Sequence, residues 1–136
     1  MNFGSGDRCC YSYALPSERR LKKGDFMHNE YGASYKRYCA TIGRVMCLGK
    51  PAIRMREIYQ AVRDASDACI AEIKNGVPAI RPHQAVKKVL ESAGLSKYQD
   101  TSGYGIAPGF PPAWGESIHM FDGTEEVLNF RNGVVD

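Results

Sequence analysis

Residues 25–48, DFMHNEYGASYKRYCATIGRVMCL, decide the fold. Phe26, His28 and Glu30 fall on one side of an extended chain, with Met27, Asn29 and Tyr31 on the other, because successive side chains of a strand point to opposite faces. Gly32-Ala33-Ser34 supplies turn chemistry. A second extended stretch follows from Tyr35 to Leu48, carrying Tyr38, Ile42, Val45, Met46 and Cys47. Strand, glycine-containing turn and strand predict a β-hairpin, which Gly49-Lys50-Pro51 closes.

Upstream, residues 1–24 read as irregular and polar-aromatic, ending in the turn-like Lys23-Gly24-Asp25. Downstream, Ile53, Ile58, Tyr59, Val62, Ala65, Cys69, Ile70 and Ile73 recur at steps of three and four. This spacing predicts an amphipathic helix of roughly 20–25 residues. Asn75-Gly76 stops it, since glycine suits the left-handed position after a helix. A second helix follows, with Pro82 in its first turn and Ala85, Val86, Val89, Leu90 and Ala93 as its apolar stripe. Gly94 ends it, and His83 at its start is expected to be exposed. Residues 95–126 are rich in Gly and Pro, interleaved with Tyr98, Tyr104, Phe110 and Trp114, and read as an irregular, site-forming loop. Residues 125–130 read as one more short strand. Hairpin, two helices, long loop and strand make an α+β class: an antiparallel sheet with two packed helices.

Composition narrows the function. The chain has 136 residues, 43% hydrophobic and 24% charged, which are ordinary globular values and exclude disordered, collagen-like and coiled-coil classes. No apolar run approaches the ~18 residues of a membrane span. No basic segment followed by an apolar stretch opens the chain, so no secretory leader is expected. The balance of 18 Lys and Arg against 15 Asp and Glu gives +3, too small and too scattered for a nucleic-acid binder. The one dense basic run, Arg19, Arg20, Lys22 and Lys23, reads as a solvated turn. Five cysteines, with no C-x-x-C among them, read as reduced thiols of a cytoplasmic protein. Adjacent Cys9 and Cys10 point apart in extended backbone, so no zinc site is built on them.

Several segments in order resemble the creatinase/aminopeptidase, or "pita-bread", family of methionine aminopeptidase, prolidase (Xaa-Pro dipeptidase), creatinase and ectoine hydrolase. Leu21-Lys22-Lys23-Gly24-Asp25 is similar to the family's l-x-x-G-D at its first strand, and Glu30-Tyr31-Gly32 sits where many members have D-x-G. The run from Tyr38 to Arg44 lies on Y-x-x-D-x-T-R. Leu48-Gly49-Lys50-Pro51 and Lys74-Asn75-Gly76-Val77 resemble l-G-x-P and i-k-x-G-v, and Gly103-Tyr104-Gly105-Ile106 falls on G-H-G-I. The loop from Phe110 to Glu116 is most similar to the Y-P-P-x-W-G-E stretch of ectoine hydrolase-like members. The resemblance implies one incomplete pita-bread catalytic-type domain over residues 1–136, truncated relative to the family.

It also implies where the chemistry sits. Metallopeptidases of the family hold two metal ions with two aspartates, a histidine and two glutamates, and activate a bridging water. Here the first aspartate position carries Glu30, the second Thr41 and the histidine position Tyr104. The two glutamates would lie beyond Asp136, and the substrate-side histidine positions carry Tyr13 and Pro111. No metal or other cofactor is expected on this mapping; a divalent metal returns only if the ligand mapping differs. Other members, such as creatinase, work without a metal. By that analogy Glu30 and Glu116 are the candidate catalytic carboxylates. Arg44 would clamp a substrate carboxylate through two parallel hydrogen bonds. Tyr13 and Tyr104 would donate to a carbonyl, and Trp114 would cover the substrate.

The expected function is therefore metal-independent hydrolysis of a non-peptide C–N bond by the full-length parent, with this chain inactive alone. The substrate would be a small cyclic or zwitterionic amide, or a dipeptide-like molecule. One alternative is a non-catalytic domain that binds small molecules or proteins on the same scaffold. Another is a metallopeptidase with atypical ligands. An open sheet edge left by truncation predicts a homodimer; no nucleic acid and no membrane are expected as partners.

Overall fold

The structure, a computed structural model, describes residues 2–11, 15–99, 101–105 and 118–128. The chain divides into two compact units, residues 1–56 with 106–111, and residues 57–105 with 112–136.

The first unit is a three-stranded antiparallel sheet in the order β1 (Asn2–Ser5), β2 (Phe26–Tyr35), β3 (Tyr38–Cys47). The hairpin is present, but its turn lies further along the chain than the sequence indicates. β2 runs straight through Gly32-Ala33-Ser34, and the reversal falls at Lys36-Arg37. Both residues sit at positive φ, 48° and 73°. Neither is a turn former, so composition pointed to the glycine instead. β1 is a second departure: Asn2–Ser5 pairs with Met27–Glu30 where irregular chain was expected. A short helical turn, Gly6–Cys10, follows β1. Gly24, at φ +93°, donates its amide to Leu48 O at 2.7 Å and so closes the base of the hairpin. Beside it, Asp25 accepts from Arg19 Nη1 and Nη2 at 2.7 and 2.8 Å and from the Lys22 amide at 2.7 Å.

The second unit is built on two helices, α1 (Ile53–Glu72, whose first turn belongs to the hairpin unit) and α2 (Ile80–Ser92). Of the expected α1 stripe, only Ala65 and Cys69 are buried, while Ile58, Val62 and Ile70 remain exposed. The core gathers Ala65, Cys69, Ala79, Val86, Leu90, Leu95, Met120 and Leu128. Burial pushes the Cys69 thiol pKa up. Gly94 ends α2 at φ +68°. Its amide bonds Glu91 O at 3.0 Å, and the Leu95 amide bonds Leu90 O at 2.8 Å. This is a Schellman cap, with its apolar contact made by buried Leu90 and Leu95.

A short hairpin, β4 (Gly103–Tyr104) with β5 (His119–Met120), lies within the stretch expected to be irregular. The final strand is represented, among the described residues, by a bridge between Val127 and Pro78. Gly76, Ala79 and Leu128 amides extend that pairing with bonds of 2.7–2.9 Å. Asn129 and Phe130 lie outside the described residues. No described helix is long and apolar enough to cross a membrane.

Candidate functional site

The β2–β3 register fixes which candidate residues share a face. Glu30 pairs with Gly43, Gly32 with Thr41, and His28 with Val45. Directly paired residues point the same way, and alternate pairs point oppositely. Glu30, Thr41 and His28 therefore lie on one face, as the alternation of β2 predicts. All three are half-buried. The Thr41 hydroxyl donates to Tyr31 O at 3.4 Å, a long bond that turns it toward the backbone of the neighbouring strand.

Arg44 pairs with Asn29 and so lies on the opposite face. It is exposed, and its Nη1 donates to the carbonyl of Gly43 at 2.7 Å. The register does not place it on Glu30's face. The physical reason is parity: Arg44 is one residue from Glu30's partner Gly43, and one residue along a strand reverses the face.

In the second unit Tyr104 sits on β4 opposite His119, with ring centroids 6.0 Å apart and planes tilted by 33°. Tyr104 lines an open groove of about 420 Å³ together with Val62, Cys69, Leu90, Ser102 and Met120. Tyr13, Trp114 and Glu116, along with Phe110 and Pro111, lie outside the described residues.

One group of polar residues escaped the sequence reading. His83, expected at the surface, is 2% exposed. Its Nδ1 lies 2.9 Å from Ser102 Oγ and its Nε2 lies 3.4 Å from Asp122 Oδ1. Gln99 Nε2 approaches Ser102 Oγ at 3.2 Å, and Lys87 Nζ approaches Asp122 Oδ2 at 2.8 Å. The Lys87 ammonium, then His83, hold the Asp122 carboxyl pKa down, and Asp122 raises that of Lys87. These residues are scattered from 83 to 122, and no local pattern announces them.

Residues 2–128 match metallopeptidase family M24, and the chain belongs to that family. It is 30% identical over 107 residues to the uncharacterized peptidase YqhT of Bacillus subtilis, covering 78% of this chain and 30% of that protein. A dipeptidase of Pyrococcus horikoshii superposes with a TM-score of 0.84 at 27% identity, over 97% of this chain and 36% of the other. The prolidase of Pyrococcus furiosus does so at 0.83 and 24% identity, over 94% and 37%. The fold is therefore a partial pita-bread domain, and the chain spans about a third of the length of these relatives.

A metallopeptidase family implies metal, and the described residues do not fit a two-metal centre. The face that holds Glu30 offers one carboxylate and one imidazole, His28, and its neighbour Thr41 is a neutral hydroxyl turned to a carbonyl. Hard divalent ions are held by several charged oxygens or imidazoles. Among the described residues no group of three or more His, Cys, Asp or Glu is placed to hold a metal.

Proposed function

We propose that this chain is part of a longer M24-family hydrolase that cleaves a non-peptide C–N bond in a small cyclic or zwitterionic amide without a metal. The observation that supports this reading is the Glu30–Thr41 face, on which the family resemblance aligns the Thr41 hydroxyl with the second carboxylate ligand. Glu30 accepts a proton from the attacking water as its oxygen bonds to the amide carbon. That proton passes to the leaving nitrogen as the C–N bond breaks. On the family resemblance, Tyr104 of the second unit is a separate candidate donor to a substrate carbonyl. Glu116, Trp114 and Tyr13 remain candidates on the family resemblance and lie outside the described residues. Arg44, facing away from Glu30, is left out of this group.

The test is product formation from ectoine, creatine and Xaa-Pro dipeptides by the full-length protein, with and without chelator. Chelator-resistant turnover of a non-peptide amide, with Glu30→Gln lowering kcat by ~10²–10⁴-fold, is the expected result. The family match favours a second reading, a peptidase with atypical metal ligands. Stoichiometric bound metal and chelator-sensitive dipeptide cleavage would put that reading in its place. Ligand affinity without turnover, indifferent to Glu30→Gln, would instead make the domain a binding scaffold.

A further inference from the structure

We propose that His83 is a positioning residue that sets Tyr104 by tying the residues that enter β4 and leave β5 to α2. The inference rests on the reading of Tyr104 as a substrate donor. Ser102 immediately precedes β4, Asp122 is the second residue after β5, and His83 lies in the first turn of α2 in contact with both.

The protons can be placed. The Gln99 side-chain nitrogen only donates, and it lies 3.2 Å from Ser102 Oγ and 3.4 Å from His83 Nδ1. With a donor also facing it, Nδ1 is read as the unprotonated ring nitrogen, so that Ser102 Oγ accepts from Gln99 and gives its own proton to Nδ1. The ring proton is then on Nε2, where it faces Asp122 Oδ1 at 3.4 Å. Gln99 also reaches the His83 carbonyl at 3.4 Å. Lys87 is the other charged group on this cluster, and it fixes Asp122 from the far side at 2.8 Å. Ser102 is thus the tighter hold on His83, at 2.9 Å, and Asp122 the looser one, at 3.4 Å.

Serine, histidine and aspartate together evoke a nucleophilic triad, but this arrangement serves holding instead. The Nε2–Oδ1 approach, at 3.4 Å, is longer than the hydrogen bond that orients a catalytic imidazole, and the Asp122 carboxylate is paired with Lys87. What the cluster does control is backbone. The Ser102 amide bonds Met120 O at 2.9 Å and the Gly105 amide bonds Ile118 O at 2.8 Å, bracketing Tyr104 and His119. A two-residue hairpin has little stability of its own, so its placement falls to side chains at its two ends.

The test is amide exchange measured residue by residue on the 136-residue chain, with the Tyr104 ring signals read in the same spectra. His83→Ala is expected to speed exchange at Ser102 and Gly105 by ~10-fold or more while Gly76 and Leu128, on the separate 76–79 pairing, keep their protection. His83→Asn, whose carbonyl can still accept from Ser102, is expected to restore Ser102 and the Tyr104 signals. Unchanged exchange at both amides, or equal loss at all four, would overturn the proposal. Should His83→Ala not fold, Ser102→Ala removes one hydroxyl and must produce the same local pattern in milder form. The readout is independent of turnover: a loosened hairpin with a silent Glu30→Gln would sink the proposed chemistry and leave the clamp standing.

Discussion

The hairpin unit and the helix-pair unit are held together by different forces. In the second unit eight apolar residues among those described are buried as a core, and helix α2 ends in a glycine cap. In the first, Met27 is the one apolar side chain fully buried among the described residues. Phe3, Tyr31, Ile42 and Met46 share Met27's face by register, yet all four are exposed. The hairpin is instead organised by its backbone ladder and by the Asp25 hub at its base. The candidate catalytic carboxylate thus rides on the unit with less core, where directional bonds rather than burial set the geometry.

The largest effect that would break this contrast is in the core. Leu90→Ala removes a buried side chain that contacts the α2 cap, and a loss of about 2–5 kcal/mol is expected. Ile42→Ala on the exposed hairpin face is expected to cost less than ~1 kcal/mol. Urea denaturation of the two variants decides. Equal losses would mean that Ile42 is covered in solution by something that the contrast leaves out.

The same contrast explains what could be read from sequence. Helices α1 and α2 announced themselves because a 3.6-residue period is a local signal that survives without knowledge of partners. The existence of the hairpin was equally legible, and so was the shared face of Glu30 and His28. The turn was not, because Lys36-Arg37 carries no turn chemistry while Gly32 does. A shift of the turn rewrites every cross-strand pair, and with them the face relation between Arg44 and Glu30. β1 was missed because four residues, Asn2–Ser5, are too few to show alternation. His83 was missed for a different reason. Its burial is made by Gln99, Ser102 and Asp122, which come from remote loops, and a histidine after Pro82 in a first helical turn looks exposed from its neighbours alone.

An intermediate effect is expected at the Asp25 hub. Two bonds from Arg19, then one from the Lys22 amide, lower the Asp25 carboxyl pKa from 3.8 to about 2. A carboxylate whose folded pKa is depressed adds stability that is fully present above about pH 4 and lost as pH falls through about pH 2. Asp25→Asn is therefore expected to lower stability at neutral pH and to flatten the acid limb, so that the two proteins converge near pH 2. Stability measured by denaturant at several pH values between 5 and 2 tests this. A constant difference across that range would mean that Asp25 acts through shape rather than charge. High salt is expected to shrink the gap, since the pair is partly open to solvent.

The smallest effect has the opposite sign and sharpens the contrast most. In the helix-pair unit every positive φ among the described residues falls on glycine, at Gly76, Gly94 and Gly123. In the hairpin unit two such positions fall on Lys36 and Arg37. A side chain in the left-handed region costs roughly 1–2 kcal/mol, and a two-residue turn of this kind prefers Asn-Gly. The Lys36 ammonium recovers part of that by lying 5.6 Å from the Tyr35 ring centroid, a contact worth about 0.5–1 kcal/mol at an exposed site. Replacing the pair as Lys36→Asn with Arg37→Gly relieves the strain and forfeits the ring contact. The net expectation is a gain of about 1 kcal/mol, read as a higher denaturation midpoint with the same slope. A loss instead would mean that the basic, aromatic tip makes contacts that outweigh its strain. The strained turn would then be what holds the two ten-residue strands, and with them Glu30 and Thr41, in register.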